Sequence, residues 1–362
     1  MIVACSSCSQ SGNNLSSIGK VLDKTLVSST FLVLDTLSKA IKQSYNQRSG
    51  TIIQSIQIMK KLLSLFIFLF SSMAPLTAWW DPGHLVTAMI AYENLNPEAK
   101  KRVDELAKVL QRDYPYVNHF IATGPWPDDL KAEGVRTYDT WHYTNIPFNP
   151  NRLPLADQPV VDVVWAINQM KKVLAGNKPR DIDKARHLAF LVHFVGDLHQ
   201  PLHSTSVHSN EMPGGNIGGN AFELKGRWHN MHSMWDDGCG FLSSFNDINP
   251  YGIKKIALLG EEVFRIKELA KELMEEYPQA YFDCMDQSDP DFWALESHKI
   301  AIKHGYRGVN KIEENGFNKW IKPGDEPSDL YLKNGQKIVK ERLTLAGYRL
   351  ANILNQVFDT ED

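Results

Sequence analysis

The sequence has little cysteine, no internal repeat and no strong membrane-spanning segment. Only four of its 362 residues are cysteine, and only Cys239 and Cys284 follow residue 78. In an exported protein these two thiols could form one disulfide, but the sequence leaves their pairing open. The apolar stretch at residues 62–70 is too short to cross a bilayer as a stable helix, which needs about 20 residues. We therefore expect no stable membrane anchor.

The chain also lacks an excess of positive charge. Residues 1–78 hold seven Lys or Arg and two Asp or Glu. Residues 79–362 therefore keep 32 basic and 40 acidic side chains, a net charge of −8 with histidine neutral. Such a protein lacks the electrostatic surface expected of one that coats duplex nucleic acid. If it handles phosphates, groups other than Lys and Arg must supply positive charge.

Residues 59–78, MKKLLSLFIFLFSSMAPLTA, have the order of a secretory signal peptide. Two lysines precede the apolar segment, and small residues follow it up to Ala78. This order predicts cleavage before Trp79 and a secreted or periplasmic protein; a buried helix of the fold is the alternative. Residues 1–58 then precede the signal peptide. We interpret them as an over-extended start or a non-structural leader, with a genuine N-terminal extension as the alternative.

Residues 79–362 are predicted to form one all-α domain. Apolar residues recur at helical spacing after Gly83-His84, and Asn96-Pro97-Glu98 has the composition of a helix start. Strand signals are sparse, with at most a short hairpin at residues 222–224 beside a Gly-rich loop, EMPGGNIGGN. Further helices are predicted at 160–174, from Asp181 to about Gln200, at 252–276 and at 335–358.

Two pairs of side chains have the spacing of metal ligands on helices. All twelve histidines follow Trp79. His193 and Asp197 are four residues apart, so they share one face of a helix and can bind one ion. His232 and Asp236 repeat this spacing. One such pair alone would be read as structural, but two indicate a metal site, because histidine is the commonest metal ligand and aspartate suits zinc as well as harder ions.

Other candidates lie in four short segments. His203 follows a helix-breaking proline, lies past the end of the helix and can turn back. His199 is rotated about 240° round the helix from the first histidine and should point away. GPWPDDL contains Asp128, and WHYTN contains His142. His84 could equally cap the first helix, and an aspartate after Trp-Pro is usually a turn residue or a cap.

Together these segments resemble the zinc-dependent type I nucleases. That family comprises the fungal single-strand-specific nucleases, the plant bifunctional nucleases and the bacterial 3'-nucleotidase/nucleases, within one superfamily with zinc phospholipase C. The likeness runs from WWDPGH through WPDD, WHYTN, FLVHFVGDLHQPLH and NMHSMWD to AGYRLANILN. It implies a multi-helix domain of the zinc phospholipase C/single-strand nuclease type that binds three Zn²⁺ per chain.

The resemblance also implies a ligand set. In that family the first residue of the mature chain is a tryptophan whose α-amino group and carbonyl oxygen bind zinc, and a ligand histidine follows five residues later. Trp79 and His84 have this spacing. An α-amino group has a pKa near 7.7–8.0, so it can lose its proton to a metal ion near neutral pH. An uncleaved chain has an amide at this position instead, so cleavage would be a condition for activity. The three zinc ions would be bound by Asp128, His142, His193 and Asp197; by Trp79, His84 and Asp197; and by His203, His232 and Asp236.

Five residues are implied in catalysis and substrate binding. Asp197 would bridge two zinc ions, and Asp128 would also orient the attacking water. Tyr143 matches an aromatic residue that stacks on a base, and Asn145 stands where the family has an acid. Lys131 stands where the family often has a phosphate-binding arginine. The last three could instead be plain surface residues.

The expected function is hydrolysis of single-stranded RNA and DNA to products with 5'-phosphates, together with removal of 3'-phosphates from nucleotides. A monomer is expected. Two alternatives stay open: a zinc phospholipase C-type phosphodiesterase, and an exported zinc-binding protein without turnover.

Overall fold

The computed structural model describes residues 79–248, 255–306 and 322–359. The predicted leader at 1–58 and signal peptide at 59–78 lie outside the described residues, and both stay predictions. Within the described stretches, no helix is both apolar enough and long enough to cross a membrane.

The prediction of an all-α fold is confirmed, because the described residues are mostly helical. Among the described residues, one pair of two-residue strands, β1 (Pro147–Phe148) and β2 (Ser206–Val207), accompanies the helices. The described part of the chain contains nine α-helices: α1 (Asp81–Glu93), α2 (Pro97–Gln111), α3 (Trp126–Ala132), α4 (Val163–Ala175), α5 (Asp181–His199), α6 (Met231–Asp236), α7 (Gly260–Glu276), α8 (Pro290–Ile300) and α9 (Asp329–Phe358).

Side chains that accept hydrogen bonds mark the starts of several helices. The Asn96 side chain accepts from the backbone N–H of Ala99, with proline at the first helical position of α2. The Asp162 side chain caps α4 in the same way. These caps satisfy backbone donors that have no partner inside the helix. The composition of the Asn96 segment therefore led to the correct helix start.

Helix α5 forms the centre of the core. All residues from Leu188 to His199 are buried, and the helix packs against α1, α2, α4 and α9. Burial on every side is typical of a central helix whose residues are mostly apolar. The long helix α9 crosses α1 at Gly347, where an added Cβ would lie 2.5 Å from Cβ of Ile90. Glycine at this position therefore permits the close crossing of the two helices.

Two predicted helix starts need correction, and one helix was not predicted. The helix predicted at 252–276 begins only at Gly260, because residues 255–259 are not helical and Leu258 among them is buried in the core. The helix predicted from residue 335 begins at Asp329, where the Ser328 side chain caps its first turn. Helix α8 was not predicted, although Asp289 and Pro290 form its cap and first residue.

The strand pair connects two segments of the later site. Pro147 pairs with Ser206 in parallel, a few residues after His142 and His203 respectively. The pairing was not predicted, since two residues per strand carry no alternating pattern. The hairpin predicted near residue 222 is limited to one antiparallel bridge between Glu223 and Asn230.

The two cysteines are not paired with each other. Cys239 is buried against Gly335. The thiol of Cys284 lies 3.1 Å from a carboxylate oxygen of Glu296. Both cysteines are therefore free thiols in this structure, and the disulfide that the sequence left open is not formed.

Candidate metal centre

Four elements bring polar side chains to the C-terminal half of α5. This helix itself presents His193 and Asp197 from one face, as their spacing predicts. Helix α1 contributes His84, and α3 contributes Asp128. His142 ends a short 3-10 helix that starts at Asp139. All of these ligand-type side chains are at most 1% exposed.

The first group comprises Asp128, His142 and His193, whose ligand atoms lie within 4.8 Å of one another. Nε2 of His193 lies 3.0 Å from Nδ1 of His142 and 3.7 Å from Oδ1 of Asp128. The same nitrogen lies 3.2 Å from Oδ2 of Asp197. Metal–ligand bonds of about 2.0–2.2 Å place tetrahedral ligands about 3.4 Å apart. The four atoms are therefore spaced as the ligands of one tetrahedral cation.

The second group comprises His84, His193 and Asp197. Oδ1 of Asp197 lies 3.4 Å from Nε2 of His84. The His84 ring stacks on the His193 ring, with 3.9 Å between centroids. Asp197 thus directs one carboxylate oxygen to each of two neighbouring groups, which is the geometry of a bridging ligand.

Trp79 packs beside this second group. It is fully buried, and its indole N–H donates to the carbonyl of Gly196 at 2.8 Å. An added Cβ on Gly196 would lie 3.0 Å from Nδ1 of His84, and one on Gly83 would lie 2.8 Å from Cβ of Trp79. The two glycines therefore permit the close packing of Trp79 and His84. The role of Trp79 as an amine ligand stays a prediction.

The third group comprises His203, His232 and Asp236. Helix α6 presents the second and third of these residues four positions apart, with Nε2 of His232 3.4 Å from Oδ2 of Asp236. His203 lies in the turn after α5 and does turn back, with Nε2 3.9 Å from Oδ1 of Asp236. Gln200, which sequence reasoning missed, donates from Nε2 to Oδ1 of Asp236 at 2.7 Å.

Backbone carbonyls orient three of the histidines. Nδ1 of His193 lies 2.7 Å from the carbonyl of Gly124, and Nδ1 of His203 lies 2.6 Å from that of His142. Nδ1 of His232 lies 2.7 Å from the carbonyl of Gly218. A carbonyl only accepts, so each Nδ1 must donate, and in the neutral ring each Nε2 keeps a lone pair directed into its group. Such contacts are typical of metal-ligating histidines.

Burial and neighbouring charges together determine the protonation of these side chains. Burial raises the pKa of the Asp197 carboxyl to about 6 and that of Asp236 well above its ordinary value. Burial opposes protonation of His193, yet the carboxylates of Asp197 and Asp128 raise its pKa. Burial, together with neighbouring histidines and Lys131, lowers the pKa well below its ordinary value for His84, His142 and His203. The last three rings are therefore neutral, as metal binding requires.

The donor set fits a metal ion in each group. Buried atoms without a hydrogen-bond partner include Nε2 of His84 and Oδ1 of Asp197 in the second group. They also include Nε2 of His203 and Oδ2 of Asp236 in the third. An unsatisfied buried polar atom costs about 1–3 kcal/mol, and a bound cation would remove that cost. Imidazole nitrogens combined with carboxylate oxygens in groups of three or four suit Zn²⁺.

Lys131 is part of this centre and not a surface residue. It is buried in α3, and its Nζ lies 2.8 Å from Oδ1 of Asp128. The contact places a positive charge beside the first group. Contact between Lys131 and a phosphate stays a prediction.

Tyr143 and Asn145 line a narrow cleft beside the third group. His142, His203 and His232 border the same cleft, and the facing wall includes Ile217, Gly218 and Asn220 of the Gly-rich loop. The Asn216 amide is buried and bonds to the backbone of Val207 and the hydroxyl of Tyr306. The loop therefore contributes Ile217, Gly218 and Asn220 to the cleft, and Asn216 holds the loop in place.

His199 lies outside the three groups. Its Nδ1 bonds to the carbonyl of Val195, and its Nε2 lies 3.0 Å from a guanidinium nitrogen of Arg349. The helical rotation that separated it from His193 thus directs it toward α9.

An all-α domain with three buried His/Asp groups and a carboxylate shared between two of them has the arrangement of a metal-dependent hydrolase. A family model described as S1/P1 Nuclease matches residues 79–359, so the chain belongs to this family of metal-dependent nucleases. The resemblance seen in the sequence is thereby confirmed. Family membership makes the protein a hydrolase of the nuclease class, with nucleic acid as substrate.

Relatives in Arabidopsis thaliana agree with this assignment. The chain is 27% identical to Endonuclease 1 over 317 residues, which cover 83% of this chain and 93% of the relative. It is 29% identical to Endonuclease 4 over 303 residues, covering 78% and 90% of the two chains. It is 24% identical to Endonuclease 2 over 312 residues, covering 82% and 96%.

Proposed function

We propose that the protein uses three Zn²⁺ ions to hydrolyse phosphodiester bonds in single-stranded RNA and DNA, leaving 5'-phosphates. The same centre would remove 3'-phosphates from nucleotides. The observation that carries this proposal is the placement of the two Asp197 oxygens toward two adjacent groups. A carboxylate shared by two metal ions is a feature of two-metal hydrolysis.

When bound, the zinc ions supply positive charge to the phosphate and activate water by lowering its pKa. Three side chains of the protein then position the metal ions and the attacking water. Asp197 joins the first two groups, and Lys131 holds one oxygen of Asp128 at 2.8 Å. With its direction fixed in this way, the Asp128 carboxylate can accept a hydrogen bond from the attacking water. No separate general base is required.

The cleft beside the third group supports a preference for single strands. The Tyr143 ring provides a surface for base stacking, and a base must leave the helix stack to reach it. Asn145 offers both a donor and an acceptor to the base edge and carries no charge. We therefore expect a broader range of bases than an acid at this position would accept.

The proposal includes export. An uncleaved chain carries an amide at Trp79, and an amide nitrogen cannot act as the amine ligand. Activity would thus arise only after cleavage before Trp79, in a secreted or periplasmic protein. The net charge of −8 for residues 79–362 is consistent with attraction of phosphates by metal ions and not by a basic surface.

The test compares metal-free protein with protein reconstituted with Zn²⁺. The substrates are a single-stranded RNA, a single-stranded DNA, the matched duplex, and adenosine 3'-monophosphate. Zinc-dependent cleavage of the single strands, with 5'-phosphate ends and release of phosphate from the nucleotide, is expected. Zinc binding without any hydrolysis would contradict the proposal. So would hydrolysis of phosphatidylcholine with none of the nucleic acids.

A further inference from the structure

A second buried ionic cluster lies outside the three metal groups. Nζ of Lys255 lies 2.5 Å from Oδ2 of Asp81 and 3.0 Å from Oδ1 of Asp129. The three side chains are 7%, 3% and 4% exposed respectively. Lys255 lies in the segment before α7, which begins at Gly260. It is 174 residues from Asp81 in sequence.

The two carboxylates belong to helices that deliver metal ligands. Asp81 is in the first turn of α1, two residues after Trp79 and three before His84. Asp129 follows Asp128 directly in α3. One ammonium group therefore connects the helix that presents His84 to the helix that presents Asp128.

The two buried carboxylates need the positive charge of Lys255 between them. Burial raises the pKa of Asp81 to about 7 and that of Asp129 to about 6, and the ammonium of Lys255 opposes the rise in both. The Asp129 carboxylate also raises the pKa of Asp81, and the Asp128 carboxylate raises that of Asp129, because buried negative charges repel. Removal of the lysine would leave two carboxylates facing each other between α1 and α3. Helices α1 and α3 would then lose the ionic contact that joins them, and removal of one partner from a buried ionic contact is strongly destabilising.

We propose that Lys255 is a positioning residue for the pair of metal ions bridged by Asp197. It would fix the spacing between His84 and Asp128 without contacting the substrate. This inference rests on the zinc-dependent function proposed above. The third group is delivered by α6 and the turn at Pro201–Ser204, which carry neither Asp81 nor Asp129. Loss of Lys255 should therefore affect two of the three metal sites.

The test measures zinc release from the purified protein to a chromogenic chelator, with native mass spectrometry to count the bound ions. In Lys255→Met, two zinc ions should leave about 10- to 100-fold faster than in the wild type, the usual effect of losing an outer-shell contact. The third should leave at an unchanged rate. Lys267→Met is the matched control, because Lys267 forms an exposed pair with Glu93 at 3.2 Å between α7 and α1. All three ions should leave this control at the wild-type rate.

A triple variant separates positioning from simple charge neutralisation. Lys255→Met combined with Asp81→Asn and Asp129→Asn contains no uncompensated charge, so it should fold even where the single variant does not. We expect its thermal midpoint to recover while release of two zinc ions stays fast. Wild-type release from the triple variant, or uniform acceleration of all three ions in the single variant, would overturn the inference. Wild-type protein that binds no zinc would instead contradict the proposed function.

Discussion

Oδ1 of Asp197 lies 3.4 Å from Nε2 of His84, while the second oxygen of the same carboxylate lies 3.1 Å from Nδ1 of His142. One side chain thus faces ligands delivered by two different parts of the chain. Because α5 is buried along its C-terminal half, the carboxylate is held by the core itself. The proposed two-metal hydrolysis depends on this shared position of Asp197.

Asp197→Ala should reduce the zinc content from three ions to one. Loss of the shared carboxylate removes a ligand from both sites, and activity on single-stranded DNA should fall by at least about 10³-fold, since metal ions supply several kcal/mol to such reactions. Metal analysis and cleavage rates check both effects. Asp183→Ala is the control, because Asp183 is on the same helix in a surface pair with Arg180. Near-normal turnover by the Asp197 variant would exclude a bridging role.

Gln200→Leu should weaken the third zinc site alone. Gln200 donates to Oδ1 of Asp236, which leaves Oδ2 for His232 and the metal. Loss of this donor should lower the affinity of one zinc ion by about 10- to 100-fold while two ions stay bound. Zinc titration followed by native mass spectrometry measures the effect. The control is Gln336→Leu, whose amide bonds to the carbonyl of Cys239. Three unchanged affinities in the Gln200 variant would show that this contact does not position Asp236.

Tyr143→Ala should raise KM for single-stranded substrates with little change in kcat. Stacking of a base on an aromatic ring contributes about 1–3 kcal/mol, equivalent to roughly 5- to 150-fold. Tyr143→Phe keeps the ring and should retain the wild-type KM. Steady-state kinetics on an oligonucleotide separate the two constants. An unchanged KM in the alanine variant would place the base elsewhere.

Zinc affinity of the bridged pair should fall as the pH is lowered from about 8, where the proposed α-amino ligand of Trp79 takes up a proton, and more steeply below about 6. Burial raises the pKa of Asp197 to about 6 in the metal-free protein, and the adjacent carboxylates raise that of His193. Metal binding requires both groups deprotonated, so each proton that must be displaced costs about tenfold in affinity per pH unit below its pKa. The neutral His84 and His142 rings add no such term in this range. Zinc titrations from pH 5 to 8 measure the slope, and an affinity independent of pH would contradict this protonation scheme.

The local parts of the site could be predicted from the sequence, and the long-range parts could not. A four-residue spacing on a helix places His193 beside Asp197 and His232 beside Asp236, whatever the rest of the fold does. The contact between Gln200 and Asp236 spans 36 residues, and that between Lys255 and Asp81 spans 174. No periodicity encodes such distances, because they depend on how helices pack in the finished core.

The helix boundaries show the same division. Asn96 and Pro97 predict the start of α2 because a cap is a local interaction. Helix α7 starts later than the pattern predicts, because the segment before Gly260 is not helical and buries Leu258 in the core, which depends on tertiary packing. Lys131 was open to interpretation as a surface residue, since sequence cannot show that α3 is buried.

Native mass spectrometry of the exported protein tests the central claim most directly, because it reports the first residue and the number of zinc ions in one spectrum. The account predicts a mass that begins at Trp79 and carries three zinc ions, and a chain extended by Ala78 that has lost zinc from the second group. A mass that begins elsewhere in an active protein, or a fully active protein with fewer than three zinc ions, would contradict it.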